Sequence, residues 1–169
     1  MDTFLTIASK RDTRSYAQQP LPEDAVERIL EAGRVTGSAR NRQEWRFHVL
    51  ESSAARERAA EGVTRPSNLL GAPLAVVVTL YGNGGPFDAG RAAQAMMLAA
   101  ANEGIVSCPN SVADQALFEG LLELEDDEQA AIVLSFGFPV KERAVESRTP
   151  EQWLARAERR PLEELVRRV

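Results

Sequence analysis

A cluster of charged residues near the N-terminus has the composition of an anion-binding site. The run Lys10-Arg11-Asp12-Thr13-Arg14 places three cations within five residues. Guanidinium groups match the geometry of phosphate oxygens, and a phosphate dianion held partly out of water needs about two such partners. Asp12 would either orient one of the arginines or repel an anion. The alternative interpretation is a solvated charged turn, because exposed charges are common on protein surfaces.

Two more polar segments could complete such a site. Residues 36–45 are small and hydrogen-bonding and end with a tryptophan, which suits a loop that wraps around a polar planar ligand. The same composition is typical of a surface connection. A second arginine pair, Arg159 and Arg160, lies far along the chain, so the two basic clusters can meet at one anion only through folding.

A fourth candidate segment surrounds the single cysteine. Residues 105–111 predict a short hydrophobic step and a turn, and Ser111 with Asp114 predicts a capping box for a helix over 114–124. Backbone N–H groups at the start of that helix could bind a partial negative charge. We interpret Cys108 as a packed thiol rather than a nucleophile, because no histidine or cation lies near it in the sequence.

Two other features receive no catalytic role. His48 has no sequence-adjacent acid or nucleophile, and we interpret it as a structural or exposed histidine. The glycine-rich stretch 81–86 contains neither of the glycine motifs typical of phosphate-binding loops. Because Pro86 also interrupts this stretch before the next helix, we interpret it as a flexible linker.

The longest predicted helix lies near the middle of the chain and would position these segments. It extends from Asp88, which can accept hydrogen bonds from free N–H groups, to Gly104, which can adopt the left-handed conformation that ends a helix. Residues 95–101 are all apolar, so protein must enclose them, including a second subunit if one chain is insufficient. Periodicity and boundary residues predict the other elements, which are helices over 3–9, 23–34 and 53–61, a helix starting at Thr149, and strands at 45–50, 74–80 and 130–136.

Composition narrows the class of protein and of partner. With 169 residues, 44% hydrophobic and 27% charged, the chain fits a single mixed α/β domain over residues 1–169. A net charge of −5 gives no general reason to expect nucleic acid or an anionic membrane as a partner. One cysteine and one histidine exclude an intramolecular disulfide and a histidine-rich metal site. We therefore expect no metal site. Because the first residues lack the pattern of a secretory signal, we also expect a cytoplasmic protein.

The order of these segments resembles the nitroreductase family of FMN-dependent oxidoreductases over almost the whole chain. In that family an arginine-rich segment binds the FMN phosphate and ribityl chain. Its positions are occupied here by Lys10, Arg11, Asp12 and Arg14, with lysine in place of the first arginine. A Ser-x-x-Asn-x-Gln-Pro-Trp loop of the family reaches a flavin that is held mainly by the other subunit. Its matches here are Ser38, Arg40, Asn41, Gln43 and Trp45, with Glu44 in place of proline.

The resemblance continues through the second half of the chain. Residues 88–96 resemble the segment that opens the family's dimer helix, and residues 104–109 resemble a turn beside the isoalloxazine ring, with Val106 where glycine is common. The flavin contacts implied by this turn and its continuation are Cys108, Pro109, Asn110 and Ser111. Residues 137–139 resemble the Gly-Tyr-Pro that follows the last central strand, and Arg159 with Arg160 fits a C-terminal phosphate contact.

The resemblance implies a fold and an activity. The expected fold is α+β, with a central, mostly antiparallel sheet flanked by helices, in an intertwined homodimer with FMN at the subunit interface. The expected reaction is ping-pong: NAD(P)H gives a hydride to FMN, and a nitroaromatic, a quinone or a similar electron-poor acceptor takes the electrons. No catalytic side chain is implied. Alternatives are a non-catalytic flavin or nucleotide binder, a flavin-fragmenting or dehalogenating relative, and a dimeric α/β domain without a cofactor.

Overall fold

A four-stranded antiparallel sheet forms the centre of the computed structural model, which describes residues 2–141 and 143–169. Its strands are β1 (Trp45–Val49), β2 (Leu74–Leu80), β3 (Val106–Asn110) and β4 (Gln129–Gly137), and their order across the sheet is β1-β2-β4-β3. The helices are α1 (Thr3–Ser9), α2 (Glu23–Arg34), α3 (Ser53–Glu61), α4 (Pro86–Asn102), α5 (Gln115–Leu122), α6 (Pro150–Ala155) and α7 (Leu162–Leu165). The predicted α+β fold with a mostly antiparallel sheet is confirmed.

Helices cover both faces of this sheet. Every residue of β2 is buried, and successive side chains of a strand point to opposite faces. Val76 and Val78 therefore lie in a core shared with α2 and α4, whereas Ala75 and Val77 lie in a core shared with α3 and α5. Burying one side chain of this size contributes roughly 1.5–3 kcal/mol. β2 is thus the fixed centre relative to which the two ends of the sheet are positioned.

Side chains at the helix ends explain where several helices begin. Asp2 accepts hydrogen bonds from two N–H groups at the start of α1, and Ser52 accepts one at the start of α3. Thr149 and Gln152 form a complete capping box at the start of α6. The helices predicted over 3–9, 23–34 and 53–61, and the one starting at Thr149, are confirmed.

The long helix α4 begins at Pro86 rather than at Asp88. Gly85 occupies the N-cap position, and Pro86 fits the first turn because the N–H group it lacks would have no partner there. Two sequence-based expectations are therefore wrong: Pro86 does not separate the glycine-rich stretch from the helix, and Asp88 is not the cap but a buried residue of the first turn. The end of the helix agrees with the prediction, since Gly104 has a φ of 73°.

The apolar middle of α4 is only partly enclosed by its own chain. Met96, Met97 and Ala100 are buried, whereas Leu98 and Ala99 retain partial exposure. Its own chain therefore leaves part of the apolar surface of α4 uncovered. Within residues 2–141 and 143–169, no helix has the combination of length and apolarity that crossing a bilayer requires.

Residues 106–110 form strand β3 rather than the predicted turn. They pair with β4 and lie at the edge of the sheet, where Pro109 is tolerated because the outer side of an edge strand does not need every N–H group. The predicted capping box is also wrong. Asp114, not Ser111, caps α5 by accepting a hydrogen bond from the N–H of Leu117, and the helix covers Gln115–Leu122.

Candidate functional site

The cationic segment, residues 10–16, lies along the outer edge of β3. Asp12 forms a parallel bridge with Ser107, and the Thr13 N–H donates a 3.0 Å hydrogen bond to the Ser107 carbonyl. At the other end of the segment, Tyr16 forms an antiparallel bridge with Pro139. Pairing at both ends fixes the charged side chains relative to the sheet.

Tyr16 anchors this segment in the interior. Its hydroxyl lies 2.8 Å from the Thr13 carbonyl oxygen and 2.8 Å from Ser135 Oγ, and burial raises the pKa of the phenol above its usual value. Gly137 makes the close approach possible, since a Cβ there would lie 2.8 Å from Tyr16 Cδ1 and 2.7 Å from Pro73 Cδ. Only a glycine at position 137 therefore lets the tyrosine pack this closely on the sheet.

The three predicted cations of the segment have different surroundings. Lys10 forms an ion pair with Asp12, and its Nζ lies 3.4 Å from Met97 Sδ on α4. Arg11 donates hydrogen bonds to the carbonyls of Ala8, Lys10 and Trp153 at 2.8, 2.7 and 3.0 Å. Arg14 is exposed, and its positive charge acts to lower the pKa of the nearby Cys108 thiol, against the larger effect of burial. Arg14 is thus the most accessible of the three cations.

Residues 108–111 continue the same edge of the sheet. Cys108 is 1% exposed, and burial raises the pKa of its thiol despite the nearby Arg14, which agrees with a packed, protonated side chain. The Asn110 amide points into the interior and donates to Ser135 Oγ at 3.2 Å. Ser111 is exposed, and its carbonyl accepts a 3.0 Å hydrogen bond from the N–H of Thr64. Ser111 and the neighbouring Arg14 are thus exposed at this edge, whereas the Cys108 thiol and the Asn110 amide are buried.

The predicted wrapping loop has an unusual backbone. Arg40, Asn41 and Gln43 have φ values of 54°, 56° and 56°, a left-handed conformation that side chains adopt infrequently. Ser38 Oγ accepts a 2.8 Å hydrogen bond from the Gln43 N–H and closes the loop. Glu44, which stands where the family has proline, forms a 2.7 Å ion pair with Arg42. The loop is thus held in shape by its own contacts.

One chain does not bring this loop to the cationic segment. The carbonyl of Glu44 accepts a hydrogen bond from the N–H of Tyr81, just after β2 ends, whereas Tyr16 packs near Pro73, just before β2 begins. The seven residues of β2 extend over about 20 Å at roughly 3.3 Å per residue. Within one subunit the two predicted groups of ligand contacts therefore lie at opposite ends of the sheet.

A cavity of about 750 Å³ adjoins the start of the cationic segment. Its wall includes Lys10, Arg11 and Ser107, together with Arg143, which no sequence motif had indicated. Arg143 is placed there by a hydrogen bond from its Nη2 to the Ser9 carbonyl, 2.9 Å away. The predicted C-terminal contacts do not line this cavity: Arg159 and Arg160 are exposed, and Arg159 donates to the nearby carbonyl of Ala157.

His48 belongs to a separate polar cluster around Glu128. Its Nε2 lies 3.1 Å from Glu128 Oε1, and Thr79 and Arg46 also donate to this carboxylate. Burial favours the neutral form of Glu128, but these hydrogen bonds outweigh burial and hold the carboxyl pKa below its usual value. This placement agrees with the interpretation of His48 as a structural histidine.

Comparison with known proteins identifies relatives of this chain. The sequence model of the nitroreductase family matches residues 7–78 and 67–138, which is more than half of the chain. A nitroreductase family protein from Clostridium difficile is similar in structure, with a TM-score of 0.83 and 21% identity, and the match covers 99% of this chain and 98% of that one.

Two other solved structures resemble the chain at comparable levels. An FMN-dependent nitroreductase from Clostridium difficile has a TM-score of 0.74 and 21% identity over 85% of this chain and 90% of that one. Nitroreductase A from Vibrio parahaemolyticus has a TM-score of 0.78 and 20% identity over 84% of this chain and 69% of that one. At these identities, structural similarity establishes the shared fold.

Proposed function

Because this chain belongs to the nitroreductase family, we propose that it is an oxidoreductase with FMN as its cofactor, NAD(P)H as its electron donor and a small electron-poor compound as its acceptor. The observation that carries the proposal is the cationic segment paired to the outer edge of β3, next to residues 108–111. That edge offers positive charge for a phosphate, and Pro109 and Ser111 at the same edge retain exposure for contact with a planar ring.

The residues at this edge fit FMN. The guanidinium of Arg14 is exposed, and no carboxylate among residues 2–141 and 143–169 forms a salt bridge with it. When bound, FMN supplies hydride and electron transfer between NAD(P)H and a nitroaromatic, a quinone or a similar acceptor. Lys10, Arg11 and Arg14, with Arg159 or Arg160, would hold the phosphate.

The remaining contacts act on the ring rather than on the phosphate. Backbone N–H groups near Asn110 and Ser111 would stabilise a reduced, anionic flavin bound at this edge. Cys108 and Pro109 pack at the same edge, and the buried thiol takes no part in proton transfer. The donor and the acceptor use the same pocket in turn, and no side-chain acid or base of this chain is required.

The active unit is a homodimer in which Ser38, Arg40, Asn41 and Gln43 of one subunit contact the flavin of the other. The separation of about 20 Å along β2 within one chain supports this arrangement. Exposed apolar side chains supply a surface for association: Phe4 and Ile7 on α1 are 52% and 50% exposed, and Phe87 on α4 is 76% exposed.

A complementation experiment tests the shared site. Arg14→Ala and Asn41→Ala alter different segments, and each variant alone is expected to lose flavin. Co-expressed with two different tags and purified through both, the mixed dimer is expected to regain one site per dimer, because one site then receives both native segments. A mixed dimer without flavin would mean that both segments serve the same site from one chain.

The first measurement of function is a visible spectrum. The protein is mixed with FMN, gel-filtered, and treated with NADH or NADPH in the absence of oxygen. Bound flavin that is bleached supports the oxidoreductase, and the faster donor identifies the preferred nucleotide. Bound flavin that neither donor bleaches would favour a non-catalytic flavin binder, and protein that emerges without flavin would contradict FMN as the cofactor.

A further inference from the structure

The buried carboxylate of Glu128 belongs to a polar cluster that has no role in the proposed function. Only 2% of its side chain is exposed, and it lies at the end of the sheet that carries the wrapping loop, residues 36–45. Arg46, His48 and Thr79 all hydrogen-bond with this carboxylate. A carboxylate is stable in the interior only where such partners replace its contacts with water. The cluster therefore fixes the side chains that surround Glu128.

Arg46 extends this cluster toward the wrapping loop, because it directly follows the last residue of that loop. Its Nη2 lies 3.3 Å from both carboxylate oxygens of Glu125, and its guanidinium carbon lies 4.5 Å from the centre of the Tyr81 ring. A guanidinium is attracted to the face of an aromatic ring, and its planar shape lets it bind carboxylates at the same time. Glu128 and Glu125 therefore hold Arg46 against Tyr81.

Tyr81 begins a turn that packs directly on the end of the wrapping loop. The N–H of Tyr81 donates a 3.4 Å hydrogen bond to the carbonyl of Glu44, and the N–H of Asn83 donates a 3.3 Å hydrogen bond to Glu44 Oε1. At Gly84, a Cβ would lie 2.5 Å from the Glu44 carbonyl oxygen, so only glycine lets the turn approach this closely. Two hydrogen bonds and close packing thus converge on Glu44.

The other side of this turn is bound to the acidic segment that contains Glu128. The N–H of Gly82 donates a 3.2 Å hydrogen bond to Asp127 Oδ2. Gly82 has a φ of 59°, a conformation that glycine adopts at little cost. The glycine-rich stretch 81–86, which its composition suggested to be a flexible linker, therefore has partners on both sides.

We propose that Arg46 is a positioning residue for the flavin bound by the other subunit. Anchored by Glu128, it holds Tyr81 and the glycine-rich turn against the end of the wrapping loop. Two of the proposed flavin contacts, Asn41 and Gln43, lie just before that end. The inference rests on the proposed function, and in particular on a site shared between two subunits.

Two substitutions on the same strand separate positioning from stability. Arg46→Gln and His48→Gln each change a partner of Glu128, but within residues 2–141 and 143–169 only Arg46 of the two also contacts Tyr81. FMN is titrated into each flavin-free variant, and binding is followed by quenching of flavin fluorescence. Arg46→Gln is expected to raise the dissociation constant by about tenfold, because apparent affinity falls with the fraction of molecules whose loop is in the binding position. His48→Gln is expected to bind FMN as the native protein does.

Urea midpoints of both variants show whether stability alone explains the result. If Arg46→Gln does not fold, Arg46→Lys replaces it, since lysine keeps the charge beside Glu128 but loses the planar group that stacks on Tyr81. Native FMN affinity in the folded Arg46 variant, or equal weakening in the Arg46 and His48 variants, would overturn the inference.

Mixed dimers provide a readout that a general loss of stability would not change. With Arg46→Gln on one chain and Arg14→Ala on the other, one site keeps both native segments, and one flavin per dimer is expected to bind with native affinity. With both substitutions on one chain and a native partner, neither site keeps both segments, and the tighter site is expected to be about tenfold weaker. The same affinity in the two arrangements, or a native site only in the second, would contradict the positioning role.

Failure of the proposed function gives a different result. Native protein that binds no FMN would contradict the proposed function and this inference together. Native protein that binds FMN and is reduced by NAD(P)H, while Arg46→Gln keeps the native affinity, would overturn the inference alone.

Discussion

Removing one buried hydroxyl, in Tyr16→Phe, tests how the cationic segment is held on the sheet. The Tyr16 side chain is 7% exposed, and its hydroxyl lies 2.8 Å from both the Thr13 carbonyl oxygen and Ser135 Oγ. In the variant, Ser135 keeps the Asn110 amide as a donor and two backbone carbonyls as acceptors. The Thr13 carbonyl loses its side-chain donor. The loss therefore falls mainly on the segment that carries Arg14.

The expected loss of unfolding free energy follows from these hydrogen bonds. Leaving a buried carbonyl without its donor costs roughly 1–3 kcal/mol. Because the Thr13 carbonyl is only partly buried and Ser135 remains satisfied, we expect the lower part of this range, about 1–2 kcal/mol of unfolding free energy. For a domain of this length, each kcal/mol corresponds to a melting-temperature change of roughly 2–4 °C. FMN affinity is expected to fall as well, because Arg14 becomes less well positioned.

The assay is urea unfolding of flavin-free protein at one fixed protein concentration. Tyr81→Phe is the matched control, because its hydroxyl makes only a 3.4 Å contact with the Gln43 carbonyl near the surface. That substitution is expected to cost less than about 0.5 kcal/mol. Equal losses of unfolding free energy in the two variants would refute the anchoring role of Tyr16.

The same variant has a characteristic pH dependence. Burial raises the pKa of Tyr16 above its usual value of 10.0, so the folded state favours the protonated phenol. The contribution of this group is fully present below pH 10 and is lost as the pH rises toward the folded-state pKa. Stability of the native protein is therefore expected to fall more steeply above pH 10 than that of Tyr16→Phe, measured as urea midpoints.

Three other substitutions test separate parts of the structure. Arg14→Ala is expected to lose bound FMN with an unchanged urea midpoint, whereas Arg58→Ala on the exposed face of α3 keeps FMN. Glu128→Gln is expected to lower the unfolding free energy at neutral pH by about 1–3 kcal/mol. Because the folded-state pKa of Glu128 is depressed below 4.5, the stabilisation by this carboxylate is present above that pH and is lost in acid. The variant is therefore expected to lose less stability than the native protein on acidification. Gly137→Ala is expected to cost about 1–3 kcal/mol by overpacking against Tyr16, and to weaken FMN binding in a titration.

Different results would contradict each of these expectations. Full FMN occupancy in Arg14→Ala would remove the basis for placing the flavin at this edge of the sheet. An acid unfolding profile of Glu128→Gln parallel to that of the native protein would mean that this carboxylate is not the group that titrates. Native stability in Gly137→Ala would show that the tyrosine has room to move.

The sequence predicted best those parts of the structure whose contacts join residues close together along the chain. The bounds of α2 and α3 follow from periodicity and end residues, and Gly104 ends α4 as its type indicates. These signals are local, because helix hydrogen bonds and capping bonds join residues only a few positions apart. Pro109 gave the opposite result: its turn-like sequence lies in strand β3, because an edge position tolerates proline.

The same distinction between local and long-range contacts applies to the candidate site. The sequence by itself determined which segments carry positive charge and which loop is polar. The structure pairs residue 12 of the cationic segment with residue 107 at the edge of the sheet. Only the tertiary structure placed Arg143 beside Arg11 and left the 36–45 loop at the far end of β2. The pairing of residue 12 with residue 107, and the bond from residue 143 to residue 9, join distant parts of the chain. Such contacts depend on burial of the whole core, which no local pattern encodes.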